Sequence, residues 1–413
     1  EQDLIHTING CFYTSHKDDI SVYSEVLQNL LNSRKVYKGR MLDAKERGDK
    51  DGVSLNNTRQ LVYKVLANAL YGVIANKAFR FFDLSCAAAV TLSGQEALKN
   101  SIIFGDAFME YLDKGKEIDS PRITKQEIYA EIMPDRITKH IITGDTDSIF
   151  CCFEDFRKEK TMNNIKEWCS NIQKYLNEII IPPMVESHNV LLENNRLNLK
   201  NELIISRGLF LAKKRYCIYV VNQEGKDVDE VVYMGVEIKR SDYPSKSKEF
   251  LRELVDLVLR SKTVSLAKLM EYINRKEREF IATIRKGDKS IARPVSYGKK
   301  LSEYKSVTQG VRAMENFNSI SYRAHVVGSK AYMFHVKGFD INKAPKDVIK
   351  NYEKFIRSGK KLDVIAIPDE EPKLPDYYIP DVKGNLKFSF EERHNLLLAS
   401  LTEVKKMEGI LTF

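Results

Sequence analysis

Apolar residues recur at helical spacing near the start of the chain. In "SVYSEVLQNLLNSRKVYKGRMLDAKER", from Ser21 to about Arg47, Val22, Val26 and Leu30 with Leu27 and Leu31 form one stripe before the sequence turns strongly basic. A turn-rich "GDKDG" breaks the pattern, and a second helix is predicted from about Asn56 to Asn76, so the two form a helical hairpin. Within the second helix, Gln60, Lys64, Asn68 and Tyr71 fall in one narrow arc while Leu61, Val62, Val65, Leu66, Ala69, Leu70 and Val73 occupy the rest. That pattern predicts a helix buried except for one polar stripe. Small residues at apolar spacing in "SCAAAVTLSGQEALKNSIIFGDAFMEYL" predict a further buried helix, followed by a charged loop. The β-branched runs "KHIIT" and "SIFCCF" predict two strands joined by a Gly-Asp-Thr-Asp turn. Next come the helix "NNIKEWCSNIQKYLNEII", the strands "LFLAKKRYCIYVV" and "EVVYMGVEI", and a helical segment from about Ser245 to Ile284. The remainder is mixed, with an acidic loop at "IPDEEPKLPDYYIPD" and neither an internal repeat nor a low-complexity tract.

With 413 residues, 43% hydrophobic and 30% charged, the chain suits a globular protein of two or three subdomains around a sizeable core. No apolar run approaches the roughly eighteen residues of a membrane span, and the opening residues lack the layout of a signal peptide. The expectation is a cytoplasmic protein without a membrane partner. Cys11, Cys86, Cys151, Cys152, Cys169 and Cys217 are scattered, with no zinc spacing, and read as reduced core residues. The formal charge of +9 is unevenly placed. Arg285, Lys286, Lys289, Arg293, Lys299, Lys300, Lys305 and Arg312 face only Asp288 and Glu303, a surplus of six. Interleaved with Tyr297 and Tyr304, this stretch suits a polyanion track, with a solvated helix face as the competing reading.

Four constellations carry candidate chemistry. In a strand or tight hairpin, Asp145 and Asp147 share a face, and like charges so close call for a cation, with oxygen ligands favouring magnesium, calcium or manganese. A polar hairpin turn is the competing reading. The stripe of Lys64, Asn68 and Tyr71 presents an ammonium, an amide and a phenol one turn apart, suited to a phosphate, a sugar and a base edge, and Gly72 leaves no side chain to obstruct a flat ligand. Arg34 and Lys38 sit four apart on one face of the first helix, where like charges repel unless an anion lies between, and with Lys64 they form a cradle fit for a triphosphate. An exposed amphipathic or basic helix competes with both readings. Finally, strand alternation in "AKKRYCIYV" places Lys214 and Tyr216 on one face and Lys213 and Arg215 on the other, a grip for a nucleic-acid backbone.

Taken in order, R-x3-K at Arg34 and Lys38, K-x3-N-x2-Y-G from Lys64 to Gly72, G-D-T-D-S from Gly144 to Ser148 and K-K-R-Y from Lys213 to Tyr216 resemble family B DNA polymerases. The resemblance covers essentially the whole chain. The segment "TINGCFYTSHKDDISVYSEVLQNLL" is similar to the family's passage from palm to fingers, and "RAHVVGSKAYMFHVKG" with the terminal "KKMEGILTF" is similar to the thumb and clamp-binding tail of T-even-like phage enzymes. The resemblance implies an α+β right-hand polymerase: the end of a first palm segment at 1–15, helical fingers at 16–76, a palm with an antiparallel sheet at 77–235, and a mixed thumb with C-terminal tail at 236–413. It implies template-directed addition of dNMPs to a primer 3′-hydroxyl by two-metal-ion catalysis. Asp147 is then the metal-binding carboxylate, Asp145 its supporting partner, and Lys64 a catalytic cation. Arg34, Lys38, Lys64, Asn68 and Tyr71 bind the nucleotide, while Gly72, Lys213, Lys214, Arg215, Tyr216 and Lys299 meet DNA. The implied cofactor is magnesium, with manganese as a substitute. The implied partners are primer-template DNA, dNTPs and a sliding clamp at Lys405–Phe413, and the setting is viral or bacteriophage replication in the host cytoplasm.

The sequence departs from the family in lacking a D-x-x-S-L-Y-P-S motif upstream of the fingers, which carries the second metal-binding aspartate, and an upstream proofreading exonuclease domain with its D-x-E motif. The chain starts with Glu1, and Ala69 stands where relatives often have serine. The expectation is a C-terminal part or split subunit whose upstream segment supplies the missing aspartate and exonuclease. The alternatives are a non-catalytic DNA-binding replication subunit that retains the fold and an unrelated phosphate-binding regulatory module.

Overall fold

The computed structural model describes residues 4–14, 21–114, 138–261, 265–296, 298–299, 303–321 and 323–392. The chain divides into two compact units, residues 1–201 and 202–413. Both are α+β, and every strand pair among the described residues is antiparallel.

The first unit opens with a ribbon of β1 (Leu4–His6) and β2 (Phe12–Thr14), followed by the predicted hairpin of α1 (Val22–Glu46) and α2 (Lys50–Ile74). The break between the helices is shorter than "GDKDG" suggests. Gly48, at φ 70°, closes α1, and the Asp49 side chain accepts the Gly52 N–H at 2.8 Å, drawing Lys50 to Gly52 into the first turn of α2. The expectation of a buried α2 is corrected as well: Leu61, Val62, Val65 and Leu66 are exposed, and only Ala67 and Ile74 are buried. The packed arc is that of Tyr63, Ala67, Leu70 and Ile74, beside the polar stripe, so most of the apolar arc is left in solvent.

The small-residue helix forms as α3 (Leu84–Lys114), and the hairpin of β3 (Ile141–Asp145) and β4 (Ser148–Cys151) packs against it. Helix α4 (Met162–Tyr175) runs into a widened π turn at Leu176–Ile180 and then α5 (Ile181–Ser187). Pro182 and Pro183 have no N–H to continue the i→i−4 ladder, which accounts for the wide turn. Phe108, Met109, Phe156, Trp168 and Tyr175 form the core between α3, β3 and α4, with the Phe108 and Tyr175 rings stacked at 4.0 Å.

Polar contacts around His188 tie the β1–β2 ribbon to this unit. His188 meets Glu96 at 2.8 Å through Nε2 and the His6 carbonyl at 3.0 Å through Nδ1, so a doubly protonated ring satisfies two acceptors. The Glu96 carboxylate holds the His188 pKa above its ordinary value. A group whose folded pKa is raised contributes stability that is complete below its unfolded pKa and is lost as pH rises through the folded value. Wild type should therefore lose about 1 kcal/mol of unfolding free energy relative to His188→Gln on going from mildly acidic to alkaline buffer. Parallel pH dependences of the two proteins in denaturant titrations would rule the coupling out.

The second unit begins with a meander of β5 (Leu203–Ala212), β6 (Arg215–Gln223) and β7 (Lys226–Met234). The predicted strand "EVVYMGVEI" ends early, at Met234. Gly235 turns the chain at φ 61°, where a Cβ would lie 2.1 Å from the Lys214 carbonyl oxygen, and a 3-10 turn follows at Glu237–Lys239. The single helical segment predicted from Ser245 is two helices, α6 (Ser245–Arg260) and α7 (Leu266–Arg285). Beyond them lie β8 (Arg293–Ser296), α8 (Gln309–Ile320), β9 (Lys330–Phe339), α9 (Lys346–Arg357), β10 (Val364–Pro368), β11 (Tyr378–Pro380) and α10 (Val382–Leu386). Strand β9 is central, pairing with β8, β10 and β11. The division at 201/202 falls inside the 77–235 segment, because Cys217 of β6 and Val236 share a core with Phe250 and Leu254 of α6. Tyr297, Lys300 and the Lys405–Phe413 tail lie outside the described residues. All six cysteines are free, with Cys217 buried and its thiol pushed up to about 12 by burial.

Candidate active site

Asp145 ends β3, opposite Ser148 of β4, and Thr146 and Asp147 make the turn between them. Asp147 N–H donates to the Asp145 carbonyl at 2.7 Å, and Thr146 is held at φ 59°. The two aspartates are thus not alternate positions of a flat strand: the backbone folds sharply between them. A β-branched residue at positive φ costs on the order of 1–3 kcal/mol, so the surrounding strands hold the turn against strain. Asp145 is half-buried and its Oδ1 accepts the Thr146 hydroxyl at 3.1 Å, whereas Asp147 is exposed and its carboxylate has no partner among the described residues. Gly144 fits because a Cβ there would lie 2.9 Å from Ile102 Cδ1 on α3. Two hard oxygen donors on one rigid turn fit part of the shell of a magnesium-like cation. Among the described residues no group of three His, Cys, Asp or Glu could hold a metal ion, so the pair needs oxygen ligands from elsewhere.

The sequence reading missed the residue that aims this hairpin. Asp106, buried on α3, accepts the backbone N–H groups of His140 at 2.6 Å, Ile141 at 3.0 Å and Lys139 at 3.2 Å, fixing the entry to β3. The signal was present in "IIFGDAFM", where a lone carboxylate follows a small residue inside an apolar helix.

The second cluster lies on the α1–α2 hairpin. Tyr37 stacks on Tyr63 with centroids 5.6 Å apart, and the Tyr23 hydroxyl donates to the Leu70 carbonyl, which sets the antiparallel register. Arg34 and Lys38 lie three before and one after Tyr37, and Lys64 directly follows its stacking partner Tyr63. Arg34 and Lys38 are half-buried, and the Arg34 Nε is buried without a hydrogen-bond partner, an unmet donor. Lys64, Asn68 and Tyr71 are exposed along the predicted stripe. The Tyr71 hydroxyl donates to the Ala87 carbonyl at 3.3 Å and bonds Thr91 on α3, so its ring is fixed. A Cβ on Gly72 would meet nothing within 4 Å, leaving that surface open.

The second unit carries the other candidate residues. Lys213 and Lys214 are the exposed two-residue turn between β5 and β6, with Lys214 at φ 63°, which corrects their expected strand alternation. Arg215 Nη2 donates to Glu237 Oε1 at 2.5 Å, and Tyr216 lies 5.6 Å from Phe210, ring to ring. In the basic stretch, Lys289 pairs with Asp369, Arg293 with Asp242 and Arg312 with Asp363, so the surplus is smaller in space than in sequence. Lys299 lies 4.8 Å from the centre of the Tyr304 ring.

These motifs agree with a match between residues 2–309 and the family described as DNA polymerase family B. The chain belongs to this family. As a family B chain it is 26% identical over 292 residues to the DNA-directed DNA polymerase of Enterobacteria phage T4, a match covering 66% of this chain and 30% of the phage protein. It is also 25% identical to DNA polymerase 1 of Pyrococcus abyssi over 63% of this chain and 27% of that protein. The DNA-directed DNA polymerase of Escherichia phage RB69 is 26% identical over 49% of this chain and 22% of its own length. The matched stretches span less than a third of these relatives. Among the described residues no helix is long and apolar enough to cross a membrane.

Proposed function

We propose that this chain carries the fingers, palm and thumb of a template-directed DNA polymerase, within residues 16–76, 77–235 and 236–413. The observation that carries the reading is that one family match, over residues 2–309, contains both the carboxylate turn and the cationic hairpin. Asp147 and Asp145 hold a divalent cation at the primer terminus. When bound, magnesium or manganese supplies Lewis-acid polarisation of the 3′-hydroxyl and neutralises charge on the departing pyrophosphate. Arg34, Lys38 and Lys64 bind the triphosphate, with the unmet Arg34 donor taking a phosphate oxygen. Asn68 and the fixed Tyr71 ring line the incoming nucleotide, and Gly72 admits the base pair. The exposed Lys213–Lys214 turn and Lys299 contact the backbone of primer-template DNA, while Arg215, held by Glu237, positions that turn. The remaining metal-binding carboxylate comes from a segment outside these 413 residues, which have no D-x-x-S-L-Y-P-S motif.

Lys64→Ala separates nucleotide binding from DNA binding. Charge-assisted contacts to phosphate contribute about 1.5–3 kcal/mol, so the KM for dNTP should rise roughly tenfold to a hundredfold in an assembly that extends primers. Affinity for primer-template DNA should stay near wild type. Lost DNA affinity with an unchanged nucleotide KM would refute the assignment.

A further inference from the structure

Between α2 and α3 the chain makes a closed surface loop. Asp83 N–H donates to the Ile74 carbonyl at 3.0 Å, pinning the ends, while Phe79 N–H reaches the Asn76 carbonyl at 2.9 Å and Phe82 N–H the Phe79 carbonyl at 3.1 Å. Asp83 also caps α3, accepting the Cys86 N–H at 2.9 Å. A loop bonded in this way presents its side chains in fixed places. Phe81 is nevertheless 68% exposed, and Leu84, the first residue of α3, is 62% exposed. Large apolar side chains held in water by a well-bonded loop mark a contact surface.

The surroundings narrow the partner. Arg80 lies 5.7 Å from the centre of the Phe81 ring, and Phe79 meets that ring in a T-shaped contact at 5.8 Å, which fixes its plane. Arg80 and Lys77 are exposed and make no ion pair among the described residues, while the nearby carboxylate of Asp83 is engaged at the cap. A flat apolar face beside two cations fits a ligand that is both flat and anionic, namely an unpaired nucleic-acid strand. An apolar protein partner would have to desolvate both cations without return. The loop also leaves α2 one turn past Tyr71, whose hydroxyl is bonded to Ala87 in the first turn of α3.

We propose that Phe81, with Arg80 and Lys77, is a stacking platform for one unpaired base of the template strand ahead of the primer terminus, the cations taking the adjoining phosphates. Assigning the strand as template rests on the polymerase reading; the stacking chemistry does not. The test uses the 413-residue chain with primer-template DNA that either ends flush or carries a short 5′ template overhang containing 2-aminopurine. Wild type should bind the overhang DNA about tenfold tighter than the flush duplex and quench the probe. Phe81→Ala should abolish both the gain and the quenching and leave flush-duplex affinity unchanged, whereas Phe81→Trp should keep both. Arg80→Gln should weaken overhang binding and flatten its salt dependence. An unchanged overhang gain in Phe81→Ala, an equal loss on flush and overhang DNA, or a change confined to self-association would each overturn the platform while leaving the polymerase reading intact. Failure of wild type to bind either DNA would remove both.

Discussion

Asp147→Asn is expected to leave the fold and DNA affinity intact while primer extension falls by about a thousandfold or more. The structural half of this expectation follows from exposure: the Asp147 carboxylate has no partner among the described residues, so an amide of nearly the same shape breaks nothing. Relief of repulsion with Asp145, two residues away along the backbone, should hold stability level or raise it slightly. The chemical half follows from ligand character. A neutral amide is a far poorer donor to a hard cation than a carboxylate, and several kcal/mol of transition-state stabilisation depend on that cation, equivalent to the stated loss in rate. Asp145→Asn should be milder, because the side chain is half-buried, is bonded to Thr146 and supports the turn. The measurement is single-nucleotide incorporation at saturating DNA and dNTP in an assembly that extends primers, beside a denaturant titration of each variant. Full activity from Asp147→Asn would reduce the pair to a polar turn.

The elements around the site were largely legible, because they rest on local signals. The stripe of α1, the small-residue pattern of α3 and the β-branched runs flanking Gly144 each specify an element through periodicity alone, and each formed where expected. The errors arose where one residue's backbone or cap decided the outcome. Asp49, read as part of a break, instead caps a helix; Thr146 and Lys214 take positive φ although neither is a glycine; Gly235 ends a strand because the Lys214 carbonyl leaves no room for a Cβ. Burial of α2 was misjudged for another reason: periodicity identifies an apolar arc but not whether a neighbour covers it, and Leu61 to Leu66 remain exposed. Charge along the sequence misled in the same way. Lys289, Arg293 and Arg312 meet carboxylates that are remote in sequence, at Asp369, Asp242 and Asp363.

Asp106 shows most directly how a long-range contact governs the site, and Asp106→Ala should be the most destabilising single change in the first unit among those considered. Its carboxylate accepts three consecutive backbone N–H groups, those of Lys139, His140 and Ile141, and the last begins the strand that ends at Asp145. Alanine leaves these donors without their acceptor; those of His140 and Ile141 belong to buried residues, each at a cost of about 1–3 kcal/mol when unmet, so a loss of roughly 3 kcal/mol or more is expected. Asp106→Asn should fall between alanine and wild type. Its amide oxygen can replace Oδ1, which takes the His140 and Ile141 bonds, but its NH2 would face the Lys139 N–H. That asymmetry separates anchoring from general stability. If Asp106 aims the hairpin, the asparagine variant should lower kcat for nucleotide addition with little change in KM or DNA affinity, because the turn is displaced while the cationic hairpin is not. Denaturant unfolding of Asp106→Ala within about 1 kcal/mol of wild type would mean that the three N–H groups find other acceptors, and an unchanged kcat in Asp106→Asn would detach Asp106 from the placement of Asp145 and Asp147.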